Sequence, residues 1–189
     1  MNPTIVEGDF ILINKLAYGV RLPMSNHYLL TGSEPHRGDV VVFKSPVENS
    51  VYIKRLVGLP GDSVQLLGEE LLINGKRISS EVSSNEELTD MLRSSHLQKF
   101  VVYKEALPDS NAHDILVKEN MYKPNSFGPI IVPANAYFML GDNRDNSKDS
   151  RYIGSVPRGN LMGKALFIPL SVNPDNLLNP RWHRFGRLL

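Results

Sequence analysis

Two segments place charge where a β-rich chain would put apolar or short turn residues: Tyr52-Ile53-Lys54-Arg55-Leu56-Val57-Gly58-Leu59, and Gly141-Asp142-Asn143-Arg144-Asp145-Asn146-Ser147-Lys148-Asp149-Ser150-Arg151. In the first, the period-2 alternation of a strand sets Tyr52, Lys54 and Leu56 on one face and Ile53, Arg55 and Val57 on the other. An amine enclosed among apolar groups loses the hydration that favours its charge. At the ordinary lysine pKa of about 10.4 roughly 0.4% is neutral at pH 8, whereas at a pKa of about 8 about half is neutral and able to act as a general base. Alternation alone favours the plainer outcome, an amine that snorkels to solvent. The second segment holds three acids and two arginines within eleven residues. Its Asn and Ser side chains can bond the backbone of a tight loop, and taken alone it reads as a structural loop. Ser147 and Ser150 are hydroxyls that could attack a substrate, yet neither sits in a Gly-x-Ser-x-Gly elbow.

The elements that must position these groups are mostly β. Gly and Pro, 14 and 13 in number, cut the chain into short runs. Asp9 to Asn14, Asp39 to Phe43 and Val51 to Leu59 read as strands from their β-branched and aromatic content. Leu71 to Ile78 places Asn74-Gly75 between apolar flanks, the signature of a type I′ hairpin, which needs positive φ at both central residues. Ser84-Asn85-Glu86-Glu87 is a capping box followed by Leu88, Met91 and Leu92 at helical spacing, predicting one short helix to about His96. Phe100 to Ala106, Asp114 to Val117, Tyr137 to Leu140 and Leu161 to Ile168 read as further strands, and Pro124 to Pro129 as a loop. The stretch 68–122 reads as a smaller β-rich subdomain inserted into a core made of 1–67 and 123–189.

Composition narrows the function. The 189 residues carry 21 basic and 20 acidic side chains, a formal charge of +1, so no overall field draws in nucleic acid. Cysteine is absent, which removes disulfides, thiolate metal sites and cysteine nucleophiles together. The five histidines, His27, His36, His96, His113 and His183, show no paired ligand spacing. Gly58-Leu59-Pro60-Gly61-Asp62 lacks the Lys-Ser/Thr of a phosphate loop and reads as a turn. The apolar run Ala165 to Leu170 falls far short of the ~20 residues of a membrane helix. The chain opens without a basic-then-apolar leader and enters a strand almost at once, so a segment upstream of Met1 is expected.

Together, Met1-Asn2-Pro3-Thr4, Gly8-Asp9, Arg37-Gly38-Asp39-Val40-Val41-Val42-Phe43, Tyr52 through Asp62 and Gly141 through Arg151 resemble the bacterial type I signal peptidases, most closely the leader peptidases of Gram-negative bacteria. Ala17-Tyr18-Gly19 and Leu161 to Ala165 match as well, whereas 68–122 matches poorly. The resemblance implies a fold of two antiparallel sheets with a β-rich insertion. The implied activity is serine endopeptidase cleavage of leader peptides from exported preproteins after Ala-x-Ala-like sites.

In that family a serine attacks and a lysine takes its proton. The family lysine falls on Lys54. The family nucleophile directly precedes the Met of a Ser-Met-x-Pro-Thr motif, which here is Met1, so the nucleophile, the membrane anchor and a serine of the oxyanion hole are expected upstream. A start assigned too late, a chain cut at this boundary and a non-catalytic homologue are the competing accounts, and the intact lysine block favours the first two. A peptide of these residues alone is expected to be folded and inactive.

By resemblance, Ser147 hydrogen-bonds and orients the Lys54 amine, Asp149 and Arg151 form an ion pair holding the loop, and Asp142 partners Arg55, with Arg144 a further support. Met1, Ile5, Tyr52 and Ile53 match positions lining shallow pockets for small side chains. No cofactor is implied. The implied partners are leader peptides and, through the upstream anchor and the protein surface, membrane lipid. The implied location is the periplasmic side of the inner membrane. The rivals are a conjugative-transfer or pilin-processing Ser/Lys peptidase and a non-catalytic homologue that binds exported or pilin chains.

Overall fold

The structure is a computed structural model that describes residues 1–21, 28–30, 32–68, 70–84, 100–118, 126–174 and 176–189. In chain order the strands are β1 (Asp9–Asn14), β2 (Val20–Arg21), β3 (Tyr28–Leu30), β4 (Val40–Lys44), β5 (Val51–Gly58), β6 (Ser63–Leu67), β7 (Glu70–Ile73), β8 (Lys76–Arg77) and β9 (Ser79–Val82). They continue as β10 (Phe100–Ala106), β11 (His113–Lys118), β12 (Phe127–Ile131), β13 (Ala136–Leu140), β14 (Val156–Pro157), β15 (Leu161–Asn173), β16 (Asn176–Pro180) and β17 (Arg187–Leu188). One helical turn, α1 (Ser150–Ile153), follows the Gly141–Asp149 loop. The chain is thus mostly β.

The largest sheet runs β1-β15-β4-β5-β13-β14, with β16 and β17 also pairing β15. Within it β5 is central, flanked by antiparallel β4 and β13, so both its edges are paired, and its second half, Arg55 to Gly58, is buried. On one side lies a cluster of Val41, Phe43, Leu56, Tyr137, Met139, Ile153 and Val156, against which Tyr52 packs. Across the sheet, Ile5, Val40 and Ala165 form a smaller cluster joined by Met1 and Ile53. A third cluster joins Val57, Phe138 and Leu140 to Val64, Leu66, Leu71, Ile73 and Leu107. Burying each such side chain contributes about 1.5–3 kcal/mol, so the clusters fix the sheet that carries the charged residues.

The insertion divides differently from the 68–122 boundary. Asn74 and Gly75 adopt φ of 53° and 74°, and the hairpin they close folds β8 back on β7, which in turn pairs β6. Glu70–Arg77 therefore belongs to a sheet β12-β6-β7-β8 that packs on the core, while β11-β10-β9 forms a separate three-stranded sheet. A second difference concerns Phe127 to Pro129, which is the start of an edge strand and not a loop: β12 pairs β6 with a register shift between Phe127 and Ile130. Gly128 at φ 83° and a proline without an N–H fit the shift, because an edge strand needs no donor on its outer side. The helix expected from Ser84 to about His96 falls, beyond Ser84, outside the described residues.

Candidate active site

The site is built where β5, the end of β13 and the Gly141–Asp149 loop meet the N-terminal segment. Lys54 stands opposite Val41 and Arg55 opposite Val40 across the β4–β5 pair, so neighbouring cations leave the strand on opposite faces.

On the Arg55 face the charges are fully matched. The guanidinium donates Nε–H to Asp142 Oδ1 at 2.9 Å and Nη2–H to Asp142 Oδ2 at 2.8 Å, and a third N–H to the Gly38 carbonyl at 2.8 Å. The Thr4 hydroxyl donates to Asp142 Oδ2. Burial pushes the Asp142 carboxyl up, but Arg55 outweighs it and holds the group below the usual carboxylate range.

Lys54 is the opposite case. Its Nζ has no hydrogen bond or ion pair among the described residues, and lies 5.8 Å from the centroid of the Tyr52 ring. Burial lowers its pKa from the ordinary 10.5 against the pull of Asp149 and Asp142, and Arg151 adds to the lowering. The Met1 main chain lies in the same environment, near enough to feel the charges of Lys54 and Asp142.

The loop reaches Lys54 at Gly141. A Cβ at Gly141 would stand 2.1 Å from Ser147 Oγ and 3.6 Å from Lys54 Nζ, so a missing side chain makes room for both groups. The two are neighbours, but no hydrogen bond joins them, and Ser147 Oγ is buried without a partner among the described residues. Asp149 fixes the loop from behind. Its carboxylate accepts the Gly141 amide at 3.0 Å, Arg151 Nε–H and Nη2–H at 2.8 Å each, and, as the cap of α1, the Arg151 amide at 3.3 Å. Ser150 is turned away from the lysine, its Oγ accepting from the Met139 amide at 2.9 Å.

The four residues matched to pockets separate by face. Met1, Ile5 and Ile53 pack together around Val40 and Ala165, whereas Tyr52 packs on the Phe43 side and donates its hydroxyl to Glu48 at 2.6 Å. Lys148 bridges to the same Glu48.

Arg144 points the other way, toward β10. It donates bidentately to Glu105 of β10, Nη1–H to Oε1 at 2.7 Å, and both side chains are buried. His113 of β11 lies in the same cluster, Nε2 3.5 Å from Glu105 Oε2 and 4.0 Å from Asp142 Oδ1. Burial, then the charge of Arg55, brings its pKa to about 4. The roles of Gly141, Thr4, Glu105 and His113 were not read from the sequence, although Gly141 heads the charged segment and Thr4 closes the Met1-Asn2-Pro3-Thr4 motif. Among the described residues no group of three His, Asp or Glu side chains could hold a metal ion.

A lysine with a lowered pKa, beside a buried hydroxyl and a strand-lined surface, can accept a proton from a nucleophile. The comparisons with known proteins identify the family. The family described as signal peptidase, peptidase S26, matches residues 1–170. Signal peptidase I of Pseudomonas aeruginosa is 39% identical over 199 residues, covering 98% of this chain and 67% of that protein. The Rickettsia typhi signal peptidase I is 37% identical over 190 residues, covering 89% of this chain and 67% of its own length. A crystal structure of a signal peptidase I from Enterococcus faecalis V583 is 32% identical, with a TM-score of 0.41, covering 70% of this chain and 97% of that one. Among the described residues no helix is long and apolar enough to cross a membrane.

Proposed function

The chain belongs to the signal peptidase family, peptidase S26, and from that membership we propose that it supplies the lysine half of a Ser/Lys endopeptidase that removes leader peptides from exported preproteins. The observation that carries this reading is Lys54: half-buried, unpaired among the described residues, lowered in pKa, and adjacent to the Met1 backbone and Ser147.

In the proposed reaction a serine directly ahead of Met1 attacks the scissile carbonyl. The neutral Lys54 amine takes the hydroxyl proton and returns it to the leaving amine; water, deprotonated by the same lysine, then releases the acyl group. Ser147 orients the amine, and the Asp149–Arg151 and Asp142–Arg55 pairs hold loop and strand. Met1, Ile5 and Ile53, matched by resemblance to positions that line shallow pockets, gather in one apolar cluster, in keeping with small side chains of Ala-x-Ala-like sites bound as an extended strand. The catalytic region would act on the extracytoplasmic side of the bacterial inner membrane.

The test is cleavage of a preprotein bearing an Ala-x-Ala site by these 189 residues and by the same chain extended upstream with its native codons. The extended form is expected to cut after the second Ala and the 189-residue form to be inactive. Replacing either Ala by Phe should abolish processing, since small pockets reject bulk by overlap. Site-specific cleavage by the unextended chain would assign the nucleophile to Ser147 or Ser150. A folded, extended chain that binds the preprotein without cutting it would favour a non-catalytic binder.

A further inference from the structure

The inserted sheet touches the catalytic loop with side chains and backbone together. The Leu116 amide of β11 donates to the Asp142 carbonyl at 2.8 Å, the Arg144 amide donates to the Leu116 carbonyl at 2.9 Å, and Leu116 forms a parallel bridge with Asn143. One residue pair further on, the Lys118 amide donates to Asp145 Oδ2 at 2.7 Å. Glu105 stands opposite His113 across β10 and β11, and its carboxylate closes on Arg144 from beneath. Four successive loop residues, 142–145, are thus held by two strands of the insertion. That loop continues into Ser147 and Asp149.

We propose that the inserted sheet is a working part of the site and that Glu105 is a positioning residue, which through Arg144 holds the 142–149 loop in register with Lys54. The proposal rests on the reading of Lys54 as the base. Its physical content is a charge balance. Arg55, Arg144 and Arg151 face Asp142, Glu105 and Asp149, three against three, each in close pairing. Deleting the Glu105 charge leaves the Arg144 guanidinium buried and unmatched. The remaining anions acting on Arg144 are Asp142 and Asp149. These are the same two that favour the charged form of Lys54, the other charge acting on it being Arg151. An unmatched Arg144 draws them away, the loop shifts, and the ammonium form of Lys54 loses support. Its titration midpoint therefore moves further down, and orientation of the amine by Ser147 is lost.

The experiment follows the Lys54 side-chain carbon next to Nζ by NMR across pH in the 189-residue protein, the resonance being identified by its absence in Lys54→Met. Glu105→Gln is expected to lower the midpoint by about half a unit or more. Glu105→Asp, which keeps the charge but is one methylene shorter and holds Arg144 less closely, should give a smaller shift in the same direction. Glu81→Gln, an exposed acid on β9 of the same sheet, should give none. In the extended, active chain Glu105→Gln should lower kcat more than tenfold with KM within about threefold, and move the acid limb of the pH profile down. A folded Glu105→Gln protein with an unshifted Lys54 midpoint would overturn the proposal, as would an equal shift in Glu81→Gln. If Glu105→Gln does not fold, an unshifted midpoint in Glu105→Asp overturns it. The base assignment fails separately, by cleavage persisting in Lys54→Met, an outcome that does not alter the Lys54 midpoints read in the Glu105 variants.

Discussion

Arg55 and Lys54 are adjacent on one strand and share the same two flanking strands, yet one is tied by three N–H donors and the other by none among the described residues. Guanidinium stays charged at any pH the protein meets, so burying it demands an anion, and Asp142 meets it fork to fork. An ammonium can escape the same burial by releasing its proton. The side of β5 that is matched serves to hold the Asp142 loop in place. The side left unmatched stores a site whose charge is cheap to remove. Alternation places the matched and the unmatched cation on opposite faces of one strand, and the Gly141–Asp149 loop then meets both.

The sharpest way to break this contrast is Lys54→Met, which keeps length and apolar packing. In the extended, active chain we expect cleavage to fall by about 10³-fold or more, with unchanged circular dichroism. The sign of the pH dependence follows from the lowered pKa: the unfolded chain holds the Lys54 proton up to about 10.4, the folded one releases it earlier. Cleavage should thus rise with pH along an acid limb below that value, and stability should rise with pH between the folded and unfolded midpoints. Thermal melts of Lys54→Met should lack that rise.

On the opposite face, Arg55→Leu leaves the Asp142 carboxylate buried with only Thr4. That should destabilise the fold by about 3–5 kcal/mol in urea melts. Double substitution Arg55→Leu with Asp142→Leu should recover part of the loss. Smaller is Ser147→Ala, expected to reduce kcat more than tenfold but less than Lys54→Met, with stability unchanged. Smallest is Glu48→Gln: its link to Lys148 is exposed and screened, and neither melting temperature nor cleavage should move measurably at physiological salt.

Much of this contrast was readable before any coordinates. Period 2 placed Lys54 and Arg55 on opposite faces, and Asn74-Gly75 announced its turn from the φ it demands. The candidate partners of Lys54 were reached through family resemblance, since a loop of Asp, Arg and Ser has too many possible pairings to choose among by spacing. Glu105 was invisible for a stated reason: it contacts Arg144 across 39 positions, and a glutamate in an alternating strand ordinarily faces water. The Pro129 strand was missed because Gly-Pro is a turn signal almost everywhere but on a sheet edge.

Asp149 carries a consequence for how the sequence can change. A carboxylate offers about four lone-pair directions. Here four donors from Gly141 and Arg151 fill them. Asparagine would present an amide to at least one N–H, and glutamate would overshoot a helix cap. No single substitution preserves the junction, so drift at this position has no neutral intermediate. Gly141, Asp149 and Arg151 thus form one hydrogen-bonded unit, in which a change at any one position leaves a donor or acceptor of the others unmatched.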